Sequence, residues 1–300
     1  MGGLPRSPGH SLDRRFHRCP PTPIPHGSSP AARPAWAARS PAACWSTGSA
    51  AVVTARDPKQ VQDIVAAHPK KSVAVALDVT NPRQVTEAVA HAERAFGAID
   101  VLVNNAGYGY LAAVEEGEDH EVRAMFEANF FGLAALIRRV LPGMACTRAR
   151  PHHQHFVGRR PDRQPSSGYY NATKFAVEGL SEALAKEVEP LGIRVTVIEP
   201  GPFQTPTGPA APSSRPAIRS HAYAQTSGAR RAVITGRSGK PAGDPVRAAD
   251  AIIKVVESSA PPLNLILGRD GLDRVRVKLT ELMSSIDQWE AVTLSADFPQ

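Results

Sequence analysis

The sequence predicts the α/β class, with one doubly wound parallel sheet in a single domain behind a disordered N-terminal segment. Three observations carry this. From Ala50 onward, short β-branched runs alternate with amphipathic stretches long enough to be crossover helices, the pattern of βαβ units. A chain of 300 residues that is 42% hydrophobic can bury one sizeable core. Residues 1–45, by contrast, hold nine of the 28 prolines and no apolar periodicity, so they cannot bury enough surface to offset the entropy of ordering. The expected organisation is a disordered or aberrant segment over residues 1–49 and a Rossmann-like domain over residues 50–300.

In chain order, the expected strands are residues 51–54, 73–77, 101–103, 194–198 and 263–267, all short and mostly apolar. The stretches 58–68, 82–96, 120–141, 170–189 and 245–258 are amphipathic and long enough to cross over the sheet. Residues 201–243 break the rhythm with Pro, Gly, Ser and Ala, and a loop of that length in a compact domain is usually a functional lid.

The formal charge of +7 raises a nucleic-acid or membrane-surface reading, which its distribution removes. Residues 1–50 carry six Arg and one Asp, and residues 145–168 carry five Arg and one Asp, leaving the remainder slightly acidic. The expected partner is therefore a small molecule, not nucleic acid. No apolar run is long enough to span a bilayer and the N-terminus has no signal-peptide pattern, so the expected location is the cytoplasm, with no membrane partner. The same two patches contain Cys19, Cys44 and Cys146, at spacings that suit neither a redox pair nor a metal site, so neither disulfide nor zinc is expected. His152, His153 and His155 form a cluster without Cys or carboxylate partners, which favours a solvated loop over a metal site.

The chemistry gathers at Tyr170-Asn171-Ala172-Thr173-Lys174, at the start of a helical pattern. Side chains at i and i+4 share a helix face, so the Lys174 ammonium can lower the pKa of the Tyr170 phenol toward a working range. On spacing alone, an ordinary amphipathic helix is an equal alternative. A second segment, Val101-Leu102-Val103-Asn104-Asn105-Ala106-Gly107, is an apolar strand ending in two amides and a glycine, where backbone can approach a ligand at the carboxyl edge of a sheet.

Together with Leu77-Asp78-Val79-Thr80, Ala128-Asn129-Phe130-Phe131-Gly132, and Glu199-Pro200-Gly201 followed by Thr205, these motifs resemble the short-chain dehydrogenase/reductase family. The similarity runs from about residue 50 to 141 and from residue 168 to the C-terminus. The resemblance implies that Tyr170 is the general acid/base, that Lys174 tunes it and holds the nicotinamide ribose, and that Asn129 helps maintain a proton-relay water. It implies an adenine contact at Asp78, a cofactor loop at Asn105, Ala106 and Gly107, and a nicotinamide-side loop at Pro200, Gly201 and Thr205. Asp78 as a strand-end cap and Asn129 as a satisfied helix amide are the bland alternatives.

At the end of the first strand stands Thr54-Ala55-Arg56-Asp57. The family's NAD-selective acidic residue would fall at Ala55, and Arg56 next to it suits a 2'-phosphate, so the expected cofactor is NADP, with NAD as the other candidate. The expected function is NAD(P)-dependent oxidoreduction between an alcohol and a ketone or aldehyde on a small hydrophobic substrate. The long helices, residues 121–141 and 170–189, are the pairing elements that the resemblance implies for a homo-oligomer.

Two parts of the family pattern are missing. No T-G-x-x-x-G-x-G turn precedes Ala51, and the serine expected about thirteen residues before the tyrosine falls on Val157, with Ser166 and Ser167 too close to Tyr170 to stand in. The alternative function is thus a non-catalytic dinucleotide-binding protein. One hypothesis covers both gaps: each segment is read in a shifted frame. Reverse translation of residues 152–158, read one base later, permits Ile-Ile-Asn-Ile-Ser-Ser, and residues 26–38 permit a Thr-Gly-Cys-Ser-Thr-Gly-Leu-Gly turn. Sequencing the gene across both regions tests this, and an uninterrupted frame matched by peptide masses sinks it. Residues 1–49 and 145–167 are accordingly expected to be poorly ordered or irregular, and a well-packed central strand drawn from either would count against the shift.

Overall fold

The structure, a computed structural model, describes residues 49–146, 152–157 (backbone only), 164–203, 220–236 and 243–298. Its strands are all parallel, the hallmark of the expected class. Strand β1 (Ala51–Ala55) pairs with β2 (Ser72–Ala76), Val53 opposite Ala74. A second sheet runs β3 (Val101–Asn104), β4 (His152–Val157), β5 (Ile193–Pro200) and β6 (Asn264–Leu267), in that order. Among the described residues β3 pairs only with β4, so the sheet is divided between β1 and β3, where the family's strand order puts the strand that should precede Ala51.

Helices form where the apolar period predicts them. Helix α1 (Gln62–Ala67) follows a 3-10 turn at Pro58–Val61. Helix α2 (Pro82–Phe96) has the expected bounds because both ends carry stop signals. The Asn81 side chain accepts the N–H groups of Arg83 (3.0 Å) and Gln84 (3.3 Å), Pro82 opens the first turn, and Gly97 ends it at φ 84°. Its buried stripe is Val85, Ala88, Val89 and Ala92. Helix α3 (Asp119–Phe126), a π segment (Glu127–Phe131) and α4 (Gly132–Cys146) form one long rod. Helix α5 (Gly168–Val188) lies against β5 and contributes Val177, Leu184 and Val188 to the main core with Leu133, Ile137, Val140 and Met144 of α4. Helix α7 (Pro245–Glu257), capped by Asp244, packs Ala248, Ile252 and Val256 on Val101, Ile198 and Leu267.

Three expectations need correction. Residues 145–167 are not irregular throughout, because β4 lies between β3 and β5 in continuous register, Asn104 opposite Phe156 and Ile198 opposite Val157. Backbone ladders need no side-chain pattern, and two flanking parallel strands offer N–H and C=O groups that a strand in the gap satisfies. The interval 201–243 is helical in part, with a 3-10 turn at His221–Tyr223, a π segment at Ala224–Gly228 and α6 (Ala229–Gly236). Cys146 is disulfide-bonded, since folding can join cysteines whose spacing in sequence matches no local motif.

A last helix, α8 (Arg269–Leu294), was not signalled by the strand–helix alternation. It starts against the end of β5, where Gly201 and Gly271 meet backbone to backbone. A Cβ on Gly201 would stand 3.2 Å from the Gly271 nitrogen, and one on Gly271 would stand 3.3 Å from the Gly201 nitrogen. No described helix is long and apolar enough to cross a membrane.

Candidate active site

The carboxyl ends of the parallel strands are where ligands bind in such sheets. At the end of β3, Asn104 is buried, and among the described residues neither its Oδ1 nor its Nδ2 has a hydrogen-bond partner. A buried amide with both ends open is an exception that needs an external explanation. Asn105, Ala106 and Gly107 follow it, exposed along the edge.

Asn129 is the hub beside them. It sits in the π segment, where the Gly132 N–H donates to Glu127 O and locally opens the helical ladder. Its side chain is 1% exposed. Oδ1 accepts the Tyr108 N–H at 2.9 Å, and Nδ2 donates to Tyr108 O at 2.9 Å and to Thr173 Oγ1 at 3.1 Å, so both amide protons are committed. Thr173 Oγ1 in turn donates to Tyr170 O at 2.8 Å. One amide therefore joins the loop after β3 to the helix that carries the tyrosine.

Lys174 is buried, unusual for lysine unless its charge has a purpose, and its Nζ lies 5.6 Å from the Tyr170 ring centroid. Gly107 completes the cluster. A Cβ there would sit 2.8 Å from Asn129 Oδ1 and 3.8 Å from Lys174 Nζ, so the close approach of this backbone requires glycine. Tyr170 also borders an aromatic group with Tyr108, Tyr110, Met125 and Tyr169. Ser166 is buried at φ 68°, and its Oγ has no partner among the described residues.

The other half of the expected site lies at the ends of β1 and β2. Asp78 Oδ1 accepts both the Thr80 N–H (2.9 Å) and the Thr80 hydroxyl (2.7 Å). Those bonds, the hydroxyl's first, hold its carboxyl below the usual range against partial burial, and the charge of Arg56 acts in the same direction. Arg56 itself is exposed. Pro200 ends β5 and Gly201 follows it, at the carboxyl edge of the four-stranded sheet. Thr205 lies outside the described residues, as do residues 1–48 where the glycine turn is sought, and β4 is described only as backbone at Val157.

Sequence reasoning missed the device that ties the 220–236 segment down. Glu116 in the loop after β3 and Arg231 in α6 form an ion pair of 2.6 Å, with side chains 2% and 8% exposed. Glu116 also accepts the N–H groups of Ala113 (3.1 Å) and Ser220 (3.0 Å). The Arg231 bond, outweighing burial, lowers its carboxyl. Tyr223 adds a very short hydrogen bond to Glu115. No local signal marks a pair separated by 115 positions.

Comparison with known proteins agrees with this geometry. The family model described as short chain dehydrogenase matches residues 42–215. The chain is similar to oxidoreductase BOA17 of Botryotinia fuckeliana, at 34% identity over 85% of this chain and 92% of that one. It is similar to a short-chain dehydrogenase from Streptomyces avermitilis, at 34% identity and a TM-score of 0.77 over 85% of this chain and 92% of the other. It shares the fold of 3-ketoacyl-(acyl-carrier-protein) reductase from Brucella melitensis, solved with NADH, at 24% identity and a TM-score of 0.62 over 76% and 90%.

Proposed function

This chain belongs to the short-chain dehydrogenase/reductase family, oxidoreductases that generally depend on NAD(P), and we propose that it interconverts an alcohol and a ketone or aldehyde on a small hydrophobic substrate, using NADP(H). The observation that carries this reading is the cluster of exposed Gly107 with buried Asn129 and Lys174 beside Tyr170 at the carboxyl edge of the sheet.

A nicotinamide, when bound, supplies or accepts the hydride. Tyr170 passes a proton between its phenol oxygen and the substrate oxygen, and Lys174 holds the nicotinamide ribose while its ammonium stabilises charge developing on that phenol. Asn129, its amide spent on Tyr108 and Thr173, supports the relay water from the helical turn that the π segment opens. Asn105, Ala106 and Gly107 shape the cofactor groove, and the open amide of Asn104 supports a polar ligand there. Asp78 takes the adenine side, Pro200, Gly201 and Thr205 the nicotinamide side, and Arg56 the 2'-phosphate through its planar fork of donors. The aromatic group around Tyr170 favours an apolar substrate.

A second reading, a dinucleotide-binding protein without turnover, is favoured by Val157 at the serine position and by the missing glycine turn. Losing an oxyanion-type donor alone costs about 100- to 1,000-fold in rate. Titration with NADPH and turnover against a panel of ketones, on the chain as written and on a frame-corrected chain, separate the two. Binding with turnover in both supports the enzyme. Binding without turnover in the chain as written supports the second reading.

A further inference from the structure

The loop between β3 and α3 is bonded on one side to the entry of α5 and on the other to residues 220–236. On the first side, the Ala112 N–H donates to Ser166 O at 3.0 Å and the Tyr169 hydroxyl donates to Val114 O at 2.7 Å. A Cβ on Gly117 would stand 2.8 Å from both Cζ and the hydroxyl oxygen of Tyr169, so the ring lies directly on that backbone. On the second side, Glu116 pairs with Arg231 at 2.6 Å and accepts the Ser220 N–H at 3.0 Å, while Glu115 accepts the Tyr223 hydroxyl. The same Glu116 carboxylate accepts the N–H of Ala113 at 3.1 Å, between the two residues whose backbone holds α5. One buried carboxylate thus joins both sides of the loop.

The entry of α5 depends on that hold. Ser166 sits at φ 68°, a left-handed conformation that a serine keeps only where its surroundings over-determine it, and the Ser167 side chain makes no capping bond to the helix. Tyr170 follows about one helical turn after Ser166, so its phenol stands where this entry puts it. The loop also borders the chemistry. Tyr110 and Ala112 are buried in the group that Tyr108, Tyr169 and Tyr170 pack against, and the Tyr110 hydroxyl oxygen accepts the Glu118 N–H at 3.1 Å. A buried ion pair adds little net stability over an apolar pair of equal volume, but either charge alone would be costly, so the pair enforces a single arrangement.

We propose that Glu116 and Arg231 are a positioning pair: through Ala113, Val114 and Tyr169 they fix the substrate-side wall of the site and so limit the width of the ketone that reaches Tyr170. This rests on the oxidoreductase reading above. The test compares Glu116→Gln with its parent, in the chain as written and frame-corrected, on acetophenone and the wider benzophenone. The expected result is a preference for acetophenone, in kcat/KM, that falls at least about 10-fold, the change lying in KM for benzophenone and not in kcat for acetophenone. Tyr169→Phe, which removes only the bond to Val114 O, gives a smaller loss of the same kind, and the double variant loses no more than Glu116→Gln alone. Beside the rates, NMR-detected exchange of the Ala112 amide quickens about 10-fold in Glu116→Gln, while that of Val89 in α2 holds. An unchanged preference overturns the proposal, as do equal losses of kcat on both ketones or additive effects in the double variant. If neither parent reduces any ketone, it is the oxidoreductase reading that fails, and the Ala112 amide decides for the pair. Quickened exchange there upholds it as the brace of that wall, and unchanged exchange overturns it whatever the rates.

Discussion

Around Tyr170 the functional side chains are buried and bonded to one another, Asn129 to Tyr108 and Thr173, Lys174 beside the phenol ring. At the ends of β1 and β2, Arg56 is exposed and Asp78 half-buried, and Asp78 is bonded locally to Thr80. The half proposed for the chemistry is thus held by the fold, while the half proposed for the dinucleotide stands more open to solvent. A preorganised cluster loses function through geometry, and an open edge loses it through affinity.

The sharpest test of that division is Tyr170→Phe. In a frame-corrected chain it should lower kcat by about 100- to 10,000-fold with NADPH binding intact, as measured by initial rates and cofactor titration. Unchanged ketone reduction would falsify the role given to Tyr170.

Next in size is Arg231→Met, which strands a buried carboxylate and should cost about 3–5 kcal/mol, read as faster hydrogen exchange across residues 220–236. The folded Glu116 carboxyl is depressed, so its contribution is full above the unfolded value and fades as pH falls through the folded one. Exchange in that segment should therefore quicken in the unsubstituted protein only below about pH 4. Equal quickening at the Tyr170 cluster would mean the two parts open together.

A smaller effect belongs to the open edge. Arg56→Ala should weaken NADPH by about 10- to 100-fold and leave NADH nearly unchanged, by fluorescence titration, since a charge-assisted contact is worth about 1.5–3 kcal/mol. Parallel losses for both cofactors would remove the 2'-phosphate assignment. Least of all, Thr80→Val should raise the Asp78 carboxyl toward its ordinary range in an NMR titration, with a stability change under about 1 kcal/mol because the group is half open to solvent.

The regular segments were legible because periodicity and end signals agree. Residues 82–96 form a helix with those bounds, since Asn81, Pro82 and Gly97 mark its limits locally. The Tyr170/Lys174 pair was legible because four residues make one helical turn. β4 was not, because a strand filling a gap between two others is held by backbone bonds that leave no trace in residue type. Nor was the bond network of Asn129, which depends on a π segment. The Glu116–Arg231 pair is a product of tertiary folding, and α8 was overlooked because its 3-4 spacing belongs to a helix seam outside the sheet's alternation.

The contact between Gly201 and Gly271 means that the cofactor-side loop and the root of the C-terminal helix share one footing with no side chain to cushion it. A single methyl group on either glycine would force the root of the helix and the loop after β5 apart. A displacement of the helix root would pass directly to the loop after β5, with no side chain between them to absorb it.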